Sequence, residues 1–135
     1  MILGVDFGDT RTGFAISDLS GFLARTLETY EQKDMKRVAL RAKELCEIHK
    51  AEKIVLGLPK NMDGSIGDRG KKSKKLAAIL KKETGLTVIL WDERLTTVSA
   101  HNLMNETNVR GKKRKESVDK IAAAFILQSY LDSSR

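Results

Sequence analysis

Three carboxylates, Asp6, Glu93 and Asp119, stand where a charge needs a reason. Asp6 lies inside the apolar run ILGVDF, residues 2–7, where an ionised side chain is costly unless a cation or hydrogen bonds compensate it. Strand alternation puts it on one face with Ile2, Gly4 and Gly8. The two glycines are expected to leave open space beside the carboxylate, so that an ion or a phosphate backbone can come close. The plainer alternative is a structural Asp bonded to turn amides after the strand. Glu93 ends another apolar run, in Asp92-Glu93-Arg94-Leu95-Thr96-Thr97. Alternation groups it with Thr87, Ile89 and Trp91, while Asp92 and Arg94 face the other way. Arg94 can pair with a carboxylate or hold a phosphate bidentately, and a surface ion pair is the plain alternative here. Asp119 falls in the first turn of a final helix capped by Ser117, where the helix dipole alone favours a negative group. Its face continues through Ala122, Ala123, Ile126 and Tyr130. The small residues one turn on let that helix lie close to a sheet, which would aim Asp119 inward.

The elements that must position these groups follow from periodicity. Residues 2–7 read as a strand, Gly8-Asp9-Thr10-Arg11 as a turn, and residues 13–17 as a second strand, together a hairpin. A third strand near residues 22–27 completes an antiparallel meander. From Asp34 to Lys50, Val38, Ala42, Leu45 and Cys46 keep helical spacing. Lys53 to Leu58 is a short apolar run ended by Pro59, as expected for a strand covered on both faces. Lys71 to Thr84 is helical through Leu76, Ala77, Ile79 and Leu80, with Gly85 placed for a left-handed cap. A last strand follows at 86–91. Thr96 or Thr97 can cap a short helix through Leu103 and Met104, and Ser117 the final one. The order βββαβαβαα implies an α/β fold with a mixed five-stranded sheet and helices on both faces. Residues 59–70 and 105–116 are expected to be mobile loops.

If the strands starting at residues 2, 53 and 86 are parallel neighbours, Asp6, Glu93 and the segment after Leu58 share the carboxyl edge, where open α/β sheets bind ligands. The segment 105–117 leads into Asp119. Three acids gathered there need a counter-cation, and hard carboxylate oxygens suit Mg²⁺ or Mn²⁺. The expected chemistry is phosphodiester hydrolysis with two ions about 3.5–4 Å apart, activating water and stabilising the leaving oxygen.

The charge distribution fits. Lys and Arg total 25 against 18 Asp and Glu, a net +7, which alone signals only affinity for polyanions. Residues 59–75 hold six basic and two acidic side chains and residues 105–117 five and two, while the remaining 105 residues carry 14 of each sign. A concentrated basic patch is the footprint of phosphate-backbone binding. The side chains expected to hold nucleic acid are Arg11, Lys60, Arg69, Lys71, Lys72 and Arg94, with Arg110, Lys112, Lys113, Arg114 and Lys115 in the second segment. The plain alternative for one isolated run is a solvated face.

Length and composition bound the rest. With 135 residues, 41% apolar and one Cys, the chain fits one domain, residues 1–135, large enough to bury about two-thirds of its unfolded surface without disulfide or structural metal. Cys46 cannot close a loop within the chain, and a reducing, cytoplasmic setting is expected. No signal peptide or membrane span is read, the opening apolar run being far short of the roughly 20 residues a spanning helix requires. His49 and His101 lack metal-ligand spacing, and Trp91 reads as core. Seven aromatics give little basis for a stacking platform, so recognition should rest on backbone shape and charge.

Taken together, Gly4-Val5-Asp6-Phe7-Gly8, Arg11-Thr12-Gly13, Val55-Leu56-Gly57-Leu58-Pro59, Asp63-Gly64, Asp92-Glu93-Arg94-Leu95-Thr96-Thr97 and Asp119 to Ala123 resemble the YqgF/RuvX family over nearly the whole chain. The first motif is shared by many phosphate-binding strands; the DERLTT sequence after a strand, joined to Gly-Leu-Pro and a late Asp, is specific. The resemblance implies a ribonuclease H-like fold, with nuclease action on Holliday junctions or on pre-16S rRNA. It also implies Asp6, Glu93 and Asp119 as the catalytic, metal-binding acids. Asp9 stands where the family often has a hydroxyl or basic residue, implying weaker strand binding at that turn, and Lys60 where an apolar residue is common. The partners implied are structured RNA or branched DNA and ribosomal precursor particles, with no membrane. The protein would be a monomer or a homodimer, since symmetric cutting of a junction calls for two sites. Two rivals remain. Asp6-Phe7-Gly8-Asp9-Thr10 also resembles the first phosphate loop of actin-like ATPases, although those close two lobes over the nucleotide and this chain supplies one. The other is a catalytically silent RNA-binding assembly factor, against which the intact acids argue.

Overall fold

The computed structural model describes residues 1–95 and 111–134, with side chains over 1–95 and 121–134. Its elements are β1 (Ile2–Phe7), β2 (Arg11–Ser17), β3 (Ala24–Glu31), α1 (Met35–His49), β4 (Lys53–Leu58), α2 (Asp68–Thr84), β5 (Thr87–Asp92), a 3₁₀ turn (Glu93–Leu95) and α3 (Gly111–Ser133). The helix expected after Thr96 or Thr97 lies outside the described residues.

The five strands form one sheet in the order β3-β2-β1-β4-β5. The β1–β2 and β2–β3 pairs are antiparallel, and β1–β4 and β4–β5 parallel. The mixed sheet and the parallel set β1, β4, β5 are as the sequence implies. Strand β3 begins and ends later than expected because the connection before it is a built turn. The Asp18 carboxylate accepts from the backbone N–H of Phe22 at 2.9 Å and of Leu23 at 3.3 Å, holding residues 18–23 out of the ladder.

Helices cover both faces. On one, α1 and α2 lay Val38, Ala42, Leu45, Cys46, Leu76 and Leu80 against Leu3, Val5, Phe7, Phe14, Ile16, Ile54 and Leu56. On the other, α3 lays Ala123, Ile126, Leu127 and Leu131 against Ala15 and Val55. Ile54 through Leu58 are all buried, as a strand covered on both sides requires. Asp34 caps α1, its Oδ1 accepting from the Lys36 N–H at 3.0 Å. Gly85 ends α2 in the left-handed region.

Two helices start earlier than the sequence suggests. Helix α2 begins at Asp68 rather than Lys71, because Lys71 N–H already donates to Gly67 O at 3.0 Å. Helix α3 begins at Gly111 rather than Ser117. Its run of lysines and arginines has good helix propensity and, being polar, gives no apolar period from which a helix could be read. Residues 111–116, expected to be a mobile loop, are therefore helical.

Candidate active site

Strands β1, β4 and β5 run parallel, so their carboxyl ends meet at one edge. Asp6 is the penultimate residue of β1, opposite Gly13 of β2. Glu93 follows β5 as the first residue of the 3₁₀ turn. Two strands separate their backbones by about 9–10 Å, given a strand spacing of about 4.8 Å, and β4 runs between them. The Glu93 side chain nevertheless reaches Asp6, with which its carboxyl shares a hydrogen bond.

Gly57 makes that reach geometrically feasible. It pairs with Trp91 in the β4–β5 ladder. A Cβ at this position would lie 2.5 Å from Glu93 Oε1, 2.9 Å from Glu93 Cγ and 2.7 Å from Ile126 Cδ1. The missing side chain is the channel through which Glu93 crosses β4. In the sequence Gly57 stands out only as part of a motif; the signal for its role is a glycine inside an otherwise apolar buried strand, which marks a close approach.

The open space expected beside Asp6 is filled. A Cβ at Gly4 would sit 2.8 Å from Leu127 Cβ and 3.1 Å from the Ala123 carbonyl oxygen, and one at Gly8 would meet the Arg11 carbonyl oxygen at 2.5 Å. Gly4 serves the docking of α3 on β1. The anticipated close packing of that helix through its small residues is present, with Ala123 fully buried.

Burial raises the pKa of Glu93 well above the ordinary carboxyl range. The hydrogen bond and charge of Asp6 raise it further, and the Arg69 guanidinium partly opposes them, leaving it at about 9. A carboxyl pair in contact and largely out of water cannot hold two negative charges without a cation. Such a donor set, hard and oxygen-only, fits Mg²⁺ or Mn²⁺.

Asp119 belongs to α3, in the third turn rather than the first, so the N-terminal dipole does not explain it. Helix α3 runs against the direction of β4: Ile126 lies at Gly57, and the Tyr130 hydroxyl accepts from Lys53 Nζ at 3.5 Å at the start of the strand. The helix therefore heads toward the carboxyl edge as it is followed back from Ile126. Asp119 is one turn before Ala123 in that direction, and its side chain lies outside the described residues. Trp91, half-buried, ties β5 to the same helix, its Nε1 donating to Ser129 Oγ at 3.1 Å and its ring meeting Tyr130 edge-on at 5.6 Å.

The basic side chains divide. Arg94 pairs with Asp92 through two nitrogens, Nε to Oδ2 at 3.0 Å and Nη2 to Oδ2 at 2.7 Å, and holds the Asp92 carboxyl below its usual range, with Lys60 adding to the effect. Arg69 is near enough to act on Glu93. Lys72 lies 3.4 Å from Asp9, so the extra acid of the β1–β2 turn is matched by a cation from α2. Lys71 is exposed on α2 and Arg11 half-buried at the start of β2. Lys112, Lys113, Arg114 and Lys115 are in α3, their side chains outside the described residues, as is all of Arg110.

The sequence pattern of the family described as "RuvX: Holliday junction resolvase" matches residues 1–133. A "Putative pre-16S rRNA nuclease" of Clostridium tetani is 48% identical over 132 residues, 98% of this chain and 96% of that one. One of the same name from Listeria monocytogenes is 47% identical over 135 residues, covering 98% of each. Among solved structures, Thermus thermophilus RuvC in complex with a Holliday junction superposes with a TM-score of 0.62 at 14% identity, over 98% of this chain and 94% of that one. The fowlpox virus resolvase bound to junction DNA gives 0.58 at 15% identity, over 98% and 97%. These two likenesses give the ribonuclease H-like fold. On the full-length profile match and the high identity to its relatives, the chain belongs to the RuvX, or Holliday junction resolvase, family.

Proposed function

We propose that this protein is a cytoplasmic, divalent-metal-dependent nuclease that hydrolyses phosphodiester bonds of structured nucleic acid. The observation that carries the reading is the contact between Asp6 and Glu93 across β4, made where Gly57 has no side chain. Asp6, Glu93 and Asp119 are the residues that would hold Mg²⁺ or Mn²⁺. When bound, such ions polarise a phosphoryl oxygen and make water nucleophilic near neutral pH.

The chain's own contribution is charge and position. Asp6 and Glu93 stay together because β1, β4 and β5 are hydrogen-bonded neighbours, so the acids are held before substrate arrives. Arg69 favours the anionic form of Glu93, the form that ligates a cation. Lys60, Lys71, Lys72, Arg11 and Arg94 would take phosphates, as would Arg110, Lys112, Lys113, Arg114 and Lys115 of the second basic segment. The Asp92 partner keeps the Arg94 fork pre-oriented. No helix among the described residues is long and apolar enough to cross a membrane.

The test incubates the purified chain with a four-way DNA junction and with a precursor 16S rRNA fragment, with and without Mg²⁺ or Mn²⁺. Cutting that requires the metal, and is lost in Asp6→Asn while binding changes little, is expected. The substrate that is cut separates RNA processing from junction resolution, and scattering on the complex tells one copy from two. Equal cutting by Asp6→Asn would falsify the assignment. Absence of cutting together with Mg²⁺-dependent ATP binding would favour the nucleotide-binding reading instead.

A further inference from the structure

The loop that carries the chain from β4 to α2 is unusually well bonded for a segment of glycines and polar residues. Asn61 N–H donates to Ser65 O at 2.9 Å, and Gly64 N–H returns to Asn61 O at 2.9 Å. The Asp63 carboxylate accepts from Ser65 N–H at 2.9 Å and from Ser65 Oγ at 2.6 Å. Asn61 Nδ2 donates to Ser65 Oγ at 3.0 Å. Residues 61–65 of the loop thus form a cross-bonded turn. At its tip stands Met62, 98% exposed.

The tip is at the carboxyl edge. Gly64 lies against Arg94, a Cβ there being 3.7 Å from Nη1, and Arg94 adjoins Glu93 in the chain. Leu95, 63% exposed, follows on the same 3₁₀ turn. A fully solvated thioether on a hydrogen-bonded turn does nothing for the core, and a polar residue would serve solvation better. Its surroundings select the occupant. The segment 59–75 that bears it has six basic side chains against two acidic, which suits a polyanion rather than an apolar protein surface. Apolar side chains, Met and Leu among them, serve nucleic-acid-binding proteins as wedges that insert between base steps and unstack them.

Resting on the nuclease reading above, we propose that Met62 is a wedge that enters the base stack beside the bond to be cut. It makes the protein select nucleic acid with a step that opens easily, such as a branch point or a stem end. Stacked bases are the shared chemistry, supplied by branched DNA or by structured RNA.

The test uses the full chain carrying Asp6→Asn, so that substrate is held rather than cut. One arm is a four-way DNA junction with 2-aminopurine beside the branch; the other is a precursor rRNA stem with 2-aminopurine at its end. Saturating protein should raise the fluorescence severalfold in one arm or both. Adding Met62→Ala should remove most of the rise at saturation, and Met62→Leu should keep it. In the cutting protein, Met62→Ala should slow cleavage about tenfold on a fully paired step and far less where a mismatch already opens it. No rise with the parent, or the same rise with Met62→Ala, overturns the wedge. A Met62-dependent rise without cleavage by the unmutated chain upholds the wedge and removes the nuclease reading. Cleavage by the unmutated chain with a rise indifferent to Met62 does the reverse.

Discussion

Gly57 and Glu93 act as one unit, because the first has no side chain where the second must pass. Gly57→Ala would put a carbon 2.5 Å from Glu93 Oε1 and 2.7 Å from Ile126 Cδ1. Neither neighbour can yield freely, one being held at Asp6 and the other in the core. The expected outcome is overpacking of about 1–3 kcal/mol, read by denaturant titration, together with loss of nuclease activity as Glu93 is pushed from Asp6. Gly4→Ala, which meets Leu127 and the Ala123 backbone, should cost similar stability by displacing α3. The raised pKa of Glu93 gives a pH signature. A carboxyl that holds its proton more tightly folded than unfolded stabilises the fold below its ordinary range near 4.5, and that contribution disappears as pH rises through the folded value. After chelation, Tm should therefore fall from about pH 5 to pH 8, Mg²⁺ or Mn²⁺ should raise it more at the higher pH, and Glu93→Gln should flatten both trends. A metal-free Tm that rises over this range would contradict the coupling.

At the scale of elements, the meander and the first helix are tied by a fork. Arg41 of α1 donates through Nε to Glu28 Oε2 at 2.8 Å and through Nη2 to Oε1 at 2.5 Å, with each side chain 29% exposed. The hydrogen bonds from Arg41 hold the Glu28 carboxyl below its usual range. The pair therefore contributes at pH values above the unfolded carboxyl range and is lost as pH falls through the depressed folded value. Glu28→Gln should lower stability by about 0.5–1.5 kcal/mol at neutral pH, with the difference vanishing in acid, as followed by thermal melts across pH. Because the fork lies on the sheet face that α1 covers, opposite the face of Gly4 and Asp6 over which α3 packs, cleavage should be unaffected. Helix α3 is the other decisive element. Its approach over Gly4 and Gly57 covers the face on which Asp6 sits, so its position and that of the site cannot be varied separately.

For the whole molecule, a net charge of +7 concentrated in two segments sets how binding responds to salt. With Asp6→Asn to prevent cutting, affinity for junction or rRNA should fall steeply between 50 and 200 mM salt, by about a thousandfold if some six phosphates are engaged. Fluorescence anisotropy across that range measures the slope, and a salt-independent affinity would exclude the basic segments as the binding surface. Replacing both Lys71 and Lys72 by Ala should shallow the slope rather than change which substrate is chosen. Much of this was legible from the chain itself. Alternation and helical period located six of the elements closely, the charge arithmetic isolated the basic segments, and the misplaced acids at residues 6 and 93 marked a common edge. Those signals are local, written in neighbours along the chain, and the DERLTT pattern joined to Gly-Leu-Pro carried the family. Other features depended on distance in space. That Gly57 is a passage, that Gly4 is a seat for α3 rather than a vacancy and that Lys72 answers Asp9 all arise from residues remote in sequence meeting across the packed sheet. Periodicity tells which face a residue occupies; only the packed sheet decides what stands on that face opposite it.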